Sequence, residues 1–398
     1  MSFKFLAGKR VPLSLMNRFF IIISVLLISL GLVACASNSN RAPNPVILSS
    51  NSNSNLTPTT PNNNVIQPIA LLLPLQGPLA NIGQSVKQGF LAAAEENGAS
   101  PRIILIDTSV ESSIQAAYTA AIAKNAQIIV GPLLKPEVQS IASFQTKIPI
   151  LALNYLKDDI STPPELYQFG LSPIDEAQQV THLAWQHNKR SALIITANGN
   201  WGAQIGEAFA QQWQALGGTV VGQLALSENP ADITKQMRNF LHFKPPHDRR
   251  TDFDVIFLAS SPQIGRQVKP LLKFFYAGDI PVYATASIYS GICAKRFDKD
   301  LNQVIFCAAP WSLANNTIEP NLYQQLKSAS PERFTRNSKY YALGIDAFHI
   351  IQHLEALKQS PQQTLQGATG ILSLNTQRRF VRQLPCAQFR NGNIFPID

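Results

Sequence analysis

The chain has 398 residues, more than one hydrophobic core usually supports, so more than one lobe is expected. Its composition is ordinary for a globular protein, with 45% hydrophobic and 14% charged residues and a formal charge of +9. Four of the basic residues stand in the first 34 positions without an acid among them, which leaves +5 for the rest. So modest an excess, with no clustered basic stripe, argues against nucleic-acid binding and is compatible with an acidic protein patch as partner.

Lys4, Lys9, Arg10 and Arg18 precede an uncharged apolar stretch from Phe19 to Ala34, the pattern of a secretory signal over 1–34. Its 16 apolar-stretch residues are short of the roughly 20 that span a bilayer. Leu32-Val33-Ala34-Cys35 resembles the lipobox of bacterial lipoproteins, in which small residues admit the peptidase and the Cys thiol takes a diacylglyceryl group. That resemblance implies lipidation at Cys35. Ala36 stands in place of the Asp that commonly retains such proteins at the inner membrane, which implies the outer membrane, facing the periplasm. Two or more acyl chains, at about 0.8 kcal/mol per buried CH₂, anchor stably where one is marginal.

Residues 35–64 read as a disordered tether. From Ala36 to Asn64, 22 of 29 residues are Asn, Ser, Pro or Thr, and no apolar period appears that could bury a core. As a flexible coil such a segment spans about 30 Å.

From Val65 onward, apolar runs alternate with amphipathic segments. Strands are predicted at Ile69–Leu73, Arg102–Asp107, Gln127–Gly131 and Ile148–Leu153. Helical spacing lies between them, at Ile82, Val86 and Phe90, at Ile114, Ala117, Tyr118 and Ala121, and at Val138 and Ile141. Asn97-Gly98 reads as the stop of the first helix. The same order recurs with strands at Ala192–Thr196, Thr219–Leu226, Asp254–Ala259 and Ile280–Thr285, with Gly217-Gly218 ending one helix and Pro270 predicted to kink or split another. Short apolar runs separated by helices imply crossover connections and parallel sheets, hence an α/β fold of two similar lobes.

Beyond Ser290 come a strand at Val304–Ala308, a turn-rich stretch and a long helix carrying Tyr340, Leu343, Ala347, Ile350, Leu354 and Leu357 on one face. Two final strands follow, at Thr369–Leu374 and Arg382–Phe389. The expected division puts about 65–170 and 290–362 in lobe 1, and about 171–289 and 363–398 in lobe 2.

Gly77, Gly83 and Gly89 recur every six residues, which matches neither G-x-G-x-x-G nor a P-loop, so a nucleotide cradle is not expected. The loop from Leu75 to Gly83 sits at the carboxyl end of a parallel strand, beside a helix N-terminus, where crevices form. No G-x-S-x-G elbow, H-E-x-x-H motif or zinc-spaced Cys pair occurs, and no catalytic residue, cofactor or metal is expected. His349 and His353 lie one turn apart without a third ligand in view. Asp158-Asp159 reads as a solvated turn, and Arg249-Arg250 and Arg378-Arg379 as solvated basic faces.

"IALLLPLQGPLANIGQSVKQGFLAAAEENG", "AQIIVGPLLKPEVQSIA", "IPILALN" and "VIFLASSPQIGRQVKPLLKFFYAGDIPVYATASIYSG" resemble type I periplasmic binding-protein folds, and specifically the penicillin-binding-protein activators, the LpoA-like (LppC) outer-membrane lipoproteins. The resemblance runs through nearly all of Val65 to Asp398. It implies a two-lobed body, each lobe a parallel sheet flanked by helices, that regulates peptidoglycan synthesis by binding and activating a class A penicillin-binding protein. Longer members carry a helical-repeat domain ahead of this body, where here only the tether stands. The alternative reading is a receptor closing on an amino acid or small peptide.

The crevice of such a body would be lined by Leu75, Gly77, Gly83, Gly131, Pro132, Leu133, Asn154, Tyr155, Asn198, Trp201, Ser260 and Ser261, all following predicted strands. Trp201, Tyr289 and Trp311 are candidates for partner contact, with core packing expected for at least one. Once Cys35 is modified, Cys293, Cys307 and Cys386 remain. A Cys293–Cys307 bridge with one free thiol is the expectation, and three unpaired thiols the alternative.

Overall fold

The computed structural model describes residues 55–56, 67–96, 101–157, 159–292, 294–313, 317–360 and 362–397. The signal, Cys35, Asn97-Gly98, Asp158 and Cys293 lie outside the described residues. No helix among the described residues is long and apolar enough to cross a membrane.

Lobe 1 is built on a five-stranded parallel sheet of β2 (Ile69–Leu73), β3 (Ile103–Asp107), β4 (Ile128–Val130), β5 (Ile150–Ala152) and β6 (Leu166–Gln168), ordered β3-β2-β4-β5-β6. β2 is buried along its whole length, as a strand covered on both faces must be. Leu71, Leu73, Val130 and Leu151 belong to one core with Phe90 of α1 (Ala80–Glu96). The alternate residues Ala70, Leu72, Ile129 and Ile150 pack under α2 (Ile114–Ala123) and α3 (Lys135–Ile141). Ser113 caps α2 by accepting the Ala116 N–H at 3.1 Å.

Lobe 2 repeats the plan with β7 (Ser191–Ala197), β8 (Thr219–Leu226), β9 (Val255–Ala259), β10 (Val282–Ala284) and β11 (Ile305–Cys307) parallel. Its helices are α4 (Pro173–Gln186), α5 (Asn200–Ala215), α6 (Pro230–Phe240), α7 (Pro262–Phe274) and the short α8 (Lys295–Asp298). α7 is not split at Pro270: the proline sits on the exposed face and removes a single N–H, while Val268 and Leu272 stay buried.

After lobe 2 the chain forms α9 (Pro320–Ala329) and the long α10 (Pro331–Gln359), non-helical only at Asn337 (φ −122°, ψ 16°). α10 returns to lobe 1 and packs along α1, with Phe348 edge-on to Phe90 at 5.4 Å. Two glycines permit this approach. A Cβ on Gly344 would stand 2.0 Å from the Val86 carbonyl oxygen, and one on Gly89 would stand 2.1 Å from that of Tyr341.

The expected lobe boundaries need correction in three places. Ile305–Cys307, assigned to lobe 1, pairs with β10 and so belongs to the lobe-2 sheet. β12 (Thr364–Gly367), β13 (Gly370–Leu374) and β14 (Phe380–Gln383), assigned to lobe 2, form a separate sheet whose Leu365, Leu372 and Phe380 join the lobe-1 core. The strand expected at Arg382–Phe389 is in fact two. Pro385 has no N–H to continue a ladder, and beyond it β15 (Cys386–Arg390) and β16 (Asn393–Ile397) complete the lobe-2 sheet, β16-β15-β11-β10-β9-β7-β8. Within the expected tether, β1 (Asn55–Leu56) pairs in parallel with β12, using an edge that β13 leaves open.

The disulfide also differs from the expectation. Cys307 and Cys386 face each other across the antiparallel β11–β15 pair and are joined, so Cys293 is not the partner of Cys307. The pairing was hidden because 79 residues separate these cysteines in sequence, and only the β11–β15 pairing brings them together.

Candidate functional site

Three segments of chain connect the lobes: 169–172, 308–310 and 384–385. At this junction Tyr155, just beyond β5, is buried with its hydroxyl 2.9 Å from the Gly170 carbonyl, 3.0 Å from Asp175 Oδ2 and 3.3 Å from the Phe380 carbonyl. Asp175 lies in the first turn of α4, where a carboxylate also meets the positive end of the helix. Arg379 completes the group. Its guanidinium lies 3.7 Å from the centre of the Tyr155 ring and its Nη2 donates to Asp175 Oδ1 at 2.7 Å. Burial first, then the Asp175 charge, pushes the Tyr155 phenol up to about 12, against the opposing pull of Arg382 and Arg379.

The network continues through Arg382, whose Nη2 donates to the Gly170 carbonyl at 2.9 Å and whose Nε donates to Thr369 Oγ1 at 3.0 Å. Thr369 in turn gives its hydroxyl and, at 2.8 Å, its N–H to Asp346 of α10, which also accepts the Ala368 N–H at 2.7 Å. Burial raises the Asp346 carboxyl to about 6 despite these donors. Beside them Glu176 accepts the Ala286 N–H at 2.9 Å; burial lifts it to about 7, with Lys339 of α10 the main opposing influence. A cavity of about 30 Å³, lined by Leu171, Glu176, Ala286, Lys339, Arg382 and Leu384 among others, remains at the junction. That is room for roughly one water, whereas small-molecule pockets run to about 300–1,000 Å³.

The expected crevice residues divide by lobe. Leu75 gives its N–H to Asp107, and Asn154 donates to the Leu133 carbonyl at 3.0 Å while accepting the Tyr155 N–H at 2.9 Å. Gly83 and Gly131 are places of close backbone approach: a Cβ would stand 1.9 Å from the Pro74 oxygen and 2.2 Å from the Leu72 oxygen, respectively. Pro132 is buried and its carbonyl accepts from Leu153 at 2.9 Å, while Gly77 is exposed with φ +72°. In lobe 2, Asn198 is exposed and accepts the Gly199 N–H, Ser260 is buried, and Ser261 caps α7. Trp201 is 40% exposed. Of these residues, Tyr155 makes the hydrogen bond that reaches the other lobe.

Sequence reasoning missed Asp175, Glu176, Lys339, Asp346, Thr369 and Arg382, and assigned Arg379 to a solvated face. The acidic pair Asp175-Glu176, one residue beyond Ser172-Pro173, was an available signal, since that order marks a helix start. Arg250 is likewise engaged, paired with Asp252 at 2.6 Å. His349 is buried with Nε2 3.8 Å from Glu319, and burial, then His353, drives it down to about 4. Among the described residues no group of three side chains could hold a metal. Trp311 is buried in the lobe-1 core, and Tyr289 packs on Phe306 and Phe389 in lobe 2.

Paired parallel sheets flanked by helices and joined by three interlobe connections define a body of the type I binding-protein class. The family model "LppC putative lipoprotein" matches residues 60–392, and the chain belongs to this family. It is 25% identical to the penicillin-binding protein activator LpoA of Yersinia pseudotuberculosis over 83% of this chain and 61% of that protein, so it spans less than two thirds of that relative's length. The solved LpoA (YraM) C-domain from Haemophilus influenzae, a regulator of PBP1A, is 27% identical, with a TM-score of 0.71 over 83% of this chain and all of that one. An ABC-transporter solute-binding protein from R. palustris, solved with 4-hydroxybenzoate, has a TM-score of 0.58 at 14% identity over 83% of this chain and 95% of that one, a likeness of fold alone.

Proposed function

We infer that this chain is an outer-membrane lipoprotein that binds a class A penicillin-binding protein from the periplasmic side and activates it. The observation that carries the reading is the self-satisfied interlobe junction: Tyr155, Asp175 and Arg379 bind one another where a solute receptor would present free donors and acceptors to its ligand. A junction closed by its own side chains fits a body that works through its surface. The family and the regulator of PBP1A among its solved relatives supply the partner class. In this reading, residues 1–34 are a signal, Cys35 carries the lipid, and the Asn/Ser/Pro/Thr-rich segment that follows is the tether.

The test is glycan polymerisation and crosslinking by a purified class A synthase, with and without the detergent-solubilised lipoprotein. A rise in rate with saturable binding is expected; no retention of any class A synthase at micromolar concentration overturns the reading. Cys35→Ala is expected to leave the protein in the soluble envelope fraction, and a variant that still pellets with membranes removes lipidation at that residue.

A further inference from the structure

In parallel α/β lobes the connections from helix to strand gather at the amino-terminal ends of the strands, the pole away from the interlobe crevice. In lobe 2 that pole is formed by the segments ahead of β9, β10 and β11, and these bring three aromatic rings together. Phe274, the last residue of α7, is 68% exposed, and Tyr276 is 48% exposed. Phe243 stacks on Tyr276 with ring planes 9° apart and centres 6.1 Å apart.

Tyr276 is held with care. Its φ of +60° is the left-handed conformation that ends many helices and that normally falls to Gly or Asn. Arg249 Nε anchors its carbonyl at 2.6 Å and His247 packs against its ring edge-on at 4.5 Å. The half-exposed ring forms the ridge between two adjoining concavities of about 730 and 630 Å³ that share Pro270, Lys273 and Tyr276. At the surface of the larger one stand Lys273 and Lys299 against Asp279 and Asp300, with Lys269 buried beneath, and Asp279 is already paired with Arg249 at 3.5 Å, which leaves two lysines to one free carboxylate. The residual charge is positive beside an apolar, preorganised ridge. Aromatic and cationic side chains in that arrangement are the makings of an interaction hot spot.

We propose that this pole of lobe 2 is the docking surface for the synthase, receiving a segment that carries a carboxylate next to an apolar side chain. The proposal rests on the reading of the chain as a synthase activator and adds where the contact is made and what chemistry recognises it.

The test measures binding of the full-length lipoprotein in detergent to a purified class A synthase. The variants are Phe274→Ser, Tyr276→Gly and Lys273→Glu, with Lys124→Glu on an exposed site of lobe 1 as control. Each pole variant is expected to weaken binding at least tenfold and the control to leave it unchanged. Tyr276→Gly removes the ring while glycine adopts the same φ without strain, so the fold should be kept while binding falls. Wild-type affinity in all three pole variants, with the parent binding, overturns the surface and leaves the activator reading intact. Failure of the parent to bind overturns both. A micromolar self-association abolished by Phe274→Ser, with synthase binding unchanged, assigns the face to a second copy and also overturns the proposal.

Discussion

Arg379 sits over the ring of Tyr155, 3.7 Å from ring centre to guanidinium carbon, and in that pose holds Asp175 of the other lobe at 2.7 Å. One side chain from the hairpin between β13 and β14 thus joins both lobes by a stack and an ion pair.

Arg379→Ala should therefore loosen the junction. The Arg379 and Asp175 side chains are 23% and 13% exposed, so the pair falls between exposed bridges and fully buried ones, and its loss should cost about 2–3 kcal/mol. Arg379→Lys should recover little, because an ammonium can neither stack nor fork. Urea unfolding checks the stability, and small-angle scattering should show a larger radius of gyration for the alanine variant. An unchanged radius would mean the three connecting segments hold the lobes without it.

Gly344→Ala tests the crossing of α1 and α10. The added methyl would stand 2.0 Å from a main-chain oxygen, which cannot swing aside as a side chain can. The helices must separate, at a cost of about 3 kcal/mol or more. Gly89→Ala acts on the same crossing, so the double variant should cost less than the sum of the two. Thermal melts of the three proteins measure both effects.

Glu176 should make stability depend on pH in an unusual direction. Its carboxyl is raised to about 7 in the folded state, so the folded protein holds a proton there that the unfolded chain releases near 4.5. Its contribution is full below about pH 4.5 and is lost as pH rises through about 7. Lys339, Arg382, Asp175 and the Ala286 N–H are the groups that face it. Glu176→Gln should match the parent near pH 5 and exceed it at pH 8. A difference in melting temperature independent of pH would show that Glu176 does not titrate in this range. His349, lowered to about 4, acts in the opposite sense and weakens the fold as pH falls, which is why the paired comparison is needed.

The Cys307–Cys386 bridge closes a loop of 79 residues, worth about 4–5 kcal/mol on the chain-entropy model. Cys386→Ser should lose stability of that order, and peptide mapping without reduction should recover 386 joined to 307. Recovery of 307 joined to 293 would reinstate the bridge expected from spacing.

Local pattern decided much of this protein. Runs such as Ile69–Leu73 and Val255–Ala259 are apolar at every position, and a strand buried on both faces has no other way to read, so the parallel sheets were legible except for the three-residue β6, Leu166–Gln168, too short to show a pattern. The matching motifs, taken with that order, were enough for the family.

Assignment of the late elements to lobes was not local information. Ile305–Cys307 could have ended either sheet, and Pro385 turns one apolar run into strands of two different sheets by withholding a single donor. Likewise Arg379 reads as a surface charge until the tertiary fold brings it, 224 residues along the chain from Tyr155, onto that ring and against Asp175. Strand and helix follow from neighbours in sequence, through period and burial. The disulfide and the interlobe network depend on contacts between distant segments, and only the packed chain supplies those.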